Sequence, residues 1–479
     1  MQSRKDLVQA YFFVVGRLTS ALTHGKPDLL DPPNRRFSTA GTLGVLLSGL
    51  LVAIFWIIGL YSPSPNTSWQ VPGAIVMDAD TGARYIYLDG HLRPVLNYTS
   101  ARLAVGGSGA PVTVKQVSAQ SLAGAPVGTP IGIPGAPDSP PPPGGLDGGA
   151  WTVCLRFPDG QSTGPSVSLL LGQSIGTELT ENDGMLVTDP DQTVYLLWQG
   201  HRYRLPSTAV IGAIGYSGVV PLPVPANWLS PIPAGRDITL PDIPDTGAPG
   251  PVIHGKQTVI GQIYEVRNPA INSDDLYVLR SDGLSRINRT TEALLLSAPS
   301  VRRAYPGGDV EPIQGPPDLL VGAPLSDRTD LVTAYPAPLP NLVNAAVGTA
   351  MSPCVRYTPS KDGHPLAVAF LTAQAGAITA RAVSTATHTT GETVDQVAIP
   401  QGSGVLARDI PATGSTLGTE YLITDAGAKF PLVDQTVLTT LGYSADAVVD
   451  IPGQLLALLP TGPALSQQAA LASQQVGSG

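Results

Sequence analysis

The chain has 479 residues, a formal net charge of −9, and only 13% charged residues, against about 25% in a typical soluble protein. Gly (53) and Pro (48) together fill about a fifth of it, short of the share that marks a wholly disordered chain, so ordered units joined by Pro-rich connections are expected. Residues 1–40 hold six cations and three anions, which leaves the rest near −12 and excludes nucleic acid as its partner, because no basic surface is there to release phosphate counterions.

The first element is "DLVQAYFFVVGRLTSAL", which places Val8, Phe12, Val15, Leu18 and Leu22 on one helical face. An amphipathic helix beside a membrane packs on lipid or on a partner, and with few cations on its polar face a partner is at least as good a reading as lipid. The second element is Gly41–Tyr61, 21 residues without a charge. As a helix it covers roughly 30 Å, the thickness of a hydrocarbon core. It lies too far from the N-terminus for a signal peptide. Arg35 and Arg36 precede the span, and no charge lies in Ser62–Met77 after it. The positive-inside rule therefore predicts residues 1–40 in the cytoplasm and residues 62–479 outside, a single-pass protein of the cell membrane.

Four segments of the outer part share one pattern: an apolar strand, a turn glycine (Gly90, Gly200, Gly283, Gly427) and a second strand. Seven residues after the glycine comes a helix-capping residue type (Asn97, Ser207, Thr290, Asp434). With the strand that precedes each, the units read as ββ-turn-β-α. Repeats two and four match further. Gly-Tyr-Ser, Pro225/Pro452, Pro233/Pro460 and Gly235/Gly462 recur at a constant offset of 227, which marks a duplication. The stretches inside each half also match, "CLRFPDG" with "CVRYTPSKDG". The two cysteines of the chain, Cys154 and Cys354, stand at matching places there. An oxidising compartment would join them in one disulfide; two buried thiols are the alternative.

The fold class expected is α+β and membrane-anchored. Four repeats (62–105, 181–237, 259–300, 403–462) surround a central β-rich domain made of two half-modules (106–180, 301–402). A cytoplasmic arm (1–40), the span (41–61), a linker (238–258) and a flexible tail (463–479) complete it. Pro137–Gly149 reads as a disordered or polyproline loop.

Sites of chemistry are scarce. Gly172-Gln-Ser174-Ile-Gly176 fits a hydrolase elbow, but a turn and strand follow it where that motif needs a helix. Gly250–Gln257 resembles a phosphate loop, but Gln257 stands where Ser or Thr must hold Mg²⁺ and Pro251 removes a backbone donor. Asp78/Asp80 and Asp189/Asp191 read as turn residues and too few oxygens for calcium. His91 and His201 follow equivalent turn glycines and reflect the repeat. No catalytic, cofactor-binding or metal residue is assigned.

With the arm, "LLDPPNRR", the span, "IGIPGAP", "WTVC", the four repeats and Cys354, the chain resembles the EccB membrane component of the type VII (ESX) secretion system. The resemblance covers essentially the whole chain. It implies a structural subunit that scaffolds the channel on its outer side. It also implies an FtsK-like ATPase (EccC), a multi-span subunit (EccD), EccE and a mycosin protease as partners, together with self-association. Members of the family have been labelled ATPases, a label the unsound phosphate-loop match does not carry here. The alternatives are a membrane-anchored ATPase and a cell-wall-directed enzyme or binding module.

Overall fold

The computed structural model describes residues 4–25, 33–61, 66–106, 113–157, 164–333, 335–344, 347, 350–359, 366–379, 383–384, 392–410 and 418–474. The chain divides into two units. One is Met1–Trp69 with Asp78–Thr81 and Val117–Gly124; the other is Gln70–Met77, Gly82–Gln116 and Ala125–Gly479.

The first unit carries two long helices, α1 (Arg4–His24) and α2 (Pro33–Tyr61), and the short helix Ala119–Leu122. Proline at the first helical position has no intrahelical N–H bond to lose, so α2 begins eight residues before the expected span. Phe37–Ile58 within it is long and apolar enough to cross a membrane, and its apolar window is uncovered by protein.

The second unit holds four small sheets, the first of them without its strand-end residues Asp78 and Val117, with one strand order, third-second-first-fourth. Sheet I contains Ile75–Asp78, Arg84–Leu88, His91–Pro94 and Val114–Val117. Sheet II contains Asp183–Thr188, Val194–Trp198, His201–Leu205 and Leu222–Pro223, with Asn341–Leu342 added against its first strand. Sheet III contains Ile263–Asn268, Ser273–Arg280, Gly283–Ile287 and Ile313–Gly315, and sheet IV Gly404–Ile410, Glu420–Thr424, Lys429–Leu432 and Val448–Pro452. In sheets II, III and IV the fourth strand runs parallel to the first. One helix follows each third strand: α3 (Tyr98–Gly106), α4 (Thr208–Ala213), α5 (Arg289–Leu296) and α6 (Gln435–Thr440).

Local chemistry explains the hairpins. Asp89-Gly90 and Gln199-Gly200 both take positive φ, the two-residue turn whose twist matches the flanking strands. Sheet III differs from the expectation. Gly283 pairs with Arg280 inside the strand, so the turn is Ser281-Asp282. The helix cap is correspondingly Asn288, which accepts from Thr291 N–H at 2.8 Å, and Thr290 is instead buried with its hydroxyl on Pro336 O. The stretch between turn and cap is shorter by one residue than in sheets I and II, which moves the cap while the helix keeps its buried face.

Between the small sheets lies a seven-stranded sheet. Its order is Val383–Ser384, Gln396–Ala398, Ser166–Leu171, Trp151–Arg156, Met351–Thr358, Ala367–Gln374 and Thr177–Glu178. Trp151, Val153, Leu155, Val355 and Tyr357 on it are wholly buried in one core with residues of sheets II and IV and with Trp228. Sheets I and IV share a second core (Ile75, Ile86, Leu103, Leu422, Leu441). α3 lies against α6 and α4 against α5.

Two segments expected to be loose are docked. Tyr443 donates to Pro141 O at 2.7 Å, and Asp147 N–H bonds Gly404 O, so the Pro-rich stretch braces sheet IV. In the tail, Leu465 and Ala470 are fully buried, and Arg93 reaches Ser473 Oγ at 2.7 Å. The tail is held because Leu465 pairs with Pro431 O just as Ile238, 227 residues earlier, pairs with Arg204 O. The linker 238–258 is also more ordered than expected: Pro249–Ile253 and Lys256–Val259 form a hairpin.

Candidate functional site: a bridged central sheet and an uncovered apolar arm

Cys154 and Cys354 stand directly opposite each other where the antiparallel strands Trp151–Arg156 and Met351–Thr358 meet. Their sulfurs are bonded at 2.04 Å, 200 residues apart in the chain. Both side chains are fully buried, with Leu170, Leu371 and Ile378 around them. The bridge thus joins two strands far apart in the chain at the middle of the seven-stranded sheet, shielded from solvent thiols. In the chain-entropy picture, closing a loop of that length removes on the order of 5 kcal/mol of unfolded-state freedom.

The residues recurring at the 227 offset share their local roles. Tyr216 donates to Pro340 O at 2.6 Å, as Tyr443 does to Pro141 O. Gly215 and Gly442, both with positive φ, end α4 and α6 and turn each tyrosine back toward Ile211 O or Leu438 O. A Cβ on Gly235 would stand 2.5 Å from the Tyr203 ring, and one on Gly462 2.3 Å from the Phe430 ring. Pro233 O and Pro460 O accept from Arg202 N–H and Lys429 N–H. The motif is therefore a set of packing contacts rather than a reaction centre. Sequence reading found its positions and missed what they hold; the Tyr–Pro partners lie 124 and 302 residues apart.

The motifs with possible chemistry have plain structural explanations. Gly250–Gln257 lies in the hairpin, with His254 and Gly255 as its positive-φ turn. Gly250 O accepts from the Gln257 side chain, so the backbone closes on itself instead of cradling a phosphate. Ser174 is exposed, and the strand Thr177–Glu178 follows it. Asp78 accepts from Thr81 Oγ1 at 2.6 Å and from Asp80 N–H at 2.9 Å; the Thr81 bond first, then the Asp80 amide, holds its carboxyl below the usual range. Asp189 likewise accepts from Thr193 N–H and Tyr195 Oη. His91 and His201 bond the carbonyls of their own turns. Among the described residues no three His, Cys, Asp or Glu side chains gather as a metal site.

On α1, Val8, Phe12, Val15 and Leu18 are 54%, 68%, 39% and 57% exposed. Leu7, Tyr11 and Val14 are exposed as well, so the uncovered apolar arc is wider than the single face read from spacing.

A helix long and apolar enough to cross a membrane, followed in the chain by a disulfide-bridged, β-rich part, defines the class: a membrane-associated protein whose bulk is built of small sheets. Comparison with known proteins narrows it. A family model described as "Type VII secretion system ESX-1, transport TM domain B" matches residues 1–477. The ESX-2 secretion system ATPase EccB2 of Mycobacterium tuberculosis is 30% identical over 98% of this chain and 94% of its own. The ESX-3 secretion system ATPase EccB3 of Mycolicibacterium smegmatis is 29% identical over 97% and 89%. A solved EccB3 dimer from the ESX-3 core complex superposes with a TM-score of 0.69 at 27% identity, covering 83% of this chain and all of that one. The chain belongs to the EccB family, transport domain B of the type VII (ESX) secretion system. It is a structural subunit of that membrane complex.

Proposed function

We propose that the chain is a non-catalytic scaffold of an ESX secretion channel. Its arm lies in the cytoplasm and residues 62–479 outside, and it docks an FtsK-like ATPase and a multi-span subunit through the arm and span. EccE and a mycosin protease are further partners, and copies of the chain associate with one another. The match to a core-complex dimer over the whole of that chain carries the reading. Two observations support the orientation independently. Arg35 and Arg36 flank one side of the span, and the Cys154–Cys354 bridge belongs in an oxidising compartment. The scaffold itself reads as a tandem duplication of repeat, half-module, repeat, a reading supported by the 227-spaced bonds of Tyr216/Tyr443 and Ile238/Leu465.

Exposed Phe12 and Val15 in water cost about 1.5–3 kcal/mol each relative to burial, which a partner surface recovers. Phe12→Ala with Val15→Ala is expected to lose the ATPase and multi-span subunits on detergent purification while the chain stays in the membrane. Undiminished co-purification refutes arm docking. For orientation, a cysteine at Ser38 is expected to be shielded from impermeant reagents in intact cells, and one at Ser139 to label; the reverse pattern overturns the topology.

A second reading follows from the names of the relatives, which include the word ATPase. Lys256 is the cation such a site would use, and it is exposed at the start of a hairpin strand. Lys256→Ala is expected to leave secretion unchanged; nucleotide turnover that survives purification and vanishes with this variant would favour the enzyme.

A further inference from the structure

The first and third repeats hold their helices by the same bonds. Asn97 and Asn288 cap α3 and α5, accepting from Ser100 and Thr291 N–H, and donate their amides onward to Ile133 O and Val332 O. Thr99 and Thr290 donate to Pro137 O and Pro336 O. Matched bond by bond, Asp138 and Ala337 occupy one place.

Beside sheet I that place is filled. The Asp138 carboxylate accepts from Tyr98 N–H, the first amide of α3, at 2.9 Å and pairs with Arg84. Beside sheet III, Ala337 offers no side-chain acceptor. Arg289 stands where Tyr98 stands, and its N–H, at the first position of α5, has no intrahelical acceptor. The place is a groove of about 420 Å³ rimmed by Asp274, Asp275, Arg286, Arg289, Ala337 and Pro338. Arg289 is paired with Glu265, Asp274 and Glu292, and Arg286 with Asp275 at 2.7 Å. Arg286 is 67% exposed, so its pair can exchange partners at little cost.

We propose that this groove docks an Asp or Glu side chain on an extended segment of a second polypeptide, with a Lys or Arg beside it. The incoming carboxylate accepts from Arg289 N–H and Arg286, as Asp138 accepts from Tyr98 N–H and Arg84. The neighbouring cation takes up Asp275, which the exchange releases. A lone anion would leave Asp275 unpaired in an acidic surround, which is why the basic neighbour belongs to the motif.

The test uses the full chain in detergent at low ionic strength and saturation-transfer NMR. The probes are acetyl-Ala-Pro-Asp-Lys-amide, its Asn counterpart, and acetyl-Ala-Pro-Asp-Gln-amide. The Asp-Lys peptide is expected to bind saturably, and the other two about tenfold or more weakly, the worth of a charge-assisted bond. Ala337→Asp fills the groove from within and is expected to abolish binding; Arg286→Gln, which leaves the Pro-rich segment alone, is expected to weaken it about tenfold. Arg204→Gln, in an exposed pair of sheet II, is expected to change nothing. No saturable binding by any peptide, equal binding of the Asp and Asn peptides, or undiminished binding to Ala337→Asp overturns the proposal.

Discussion

Lys429 sits in the third strand of sheet IV, buried, with its ammonium donating to Leu456 O at 2.6 Å and Leu459 O at 2.7 Å. Burial pulls its pKa down to about 8, against a smaller opposing pull from Asp409. Between pH 8 and about 10.4, the ordinary lysine value, the unfolded chain therefore holds more protons than the folded one, and stability rises with pH. Tyr216, Tyr264 and Tyr443 act in the opposite direction. Burial pushes each up to about 12, so the folded state keeps protons that the unfolded state loses from about pH 10 upward, and stability falls. Denaturant midpoints of the detergent-solubilised chain are expected to climb from pH 7.5 to 9.5 and to fall above pH 10.5. Lys429→Met should flatten the climb, by on the order of 1–3 kcal/mol, and leave the fall. A profile with no alkaline rise would mean that the ammonium is better solvated than its burial implies. Gly462 makes a second residue-scale prediction. A Cβ there meets Phe430 at 2.3 Å, so Gly462→Ala should destabilise by about 1–3 kcal/mol, read from the same midpoints.

The caps separate elements that look alike in sequence. Ser207 caps α4 through one bond from Val210 N–H, at 3.3 Å. Asn288 caps α5 and in addition donates to Val332 O and Tyr335 O, tying the helix to the Pro-rich segment behind it. Ser207→Ala should therefore cost about 0.5–2 kcal/mol, while Asn288→Ala also loses its bonds to two part-buried carbonyls, about 1 kcal/mol or more in addition. Thermal melts of the two variants side by side check the order. The hairpin over Gly250–Gln257 shows how a motif's letters can mislead at this scale. A phosphate loop needs a strand, an irregular glycine turn and a helix behind it; here His254-Gly255 makes a tight turn and the chain returns as a strand.

At the scale of the molecule the bridge and the exchange of segments act together. The segment after sheet I braces sheet IV through Pro141, and the segment after sheet III braces sheet II through Pro340. Each half thus completes the other, with the disulfide pinning the sheet both share. Cys154→Ser should lower stability by a few kcal/mol and broaden the unfolding transition, since the four small sheets keep their own hairpins. A native oxidised protein that reacts with two equivalents of a thiol reagent under denaturing conditions would remove the bridge from the account.

The sequence by itself determined the long apolar helix, because length and absence of charge are local properties. It also determined the strand-turn-strand-helix units, because turn glycines and caps act on their own neighbours, and it singled out the two cysteines, because they stand in two stretches of similar sequence. Tertiary structure decided what those places touch. The partners of Tyr443, Arg93 and Asn227 lie 302, 380 and 166 residues away, and no periodicity reports a contact of that range. For the same reason the Pro-rich stretch and the tail read as loose. Their composition lacks an apolar run of its own, and they are ordered only by carbonyl acceptors and a core that distant parts of the chain supply.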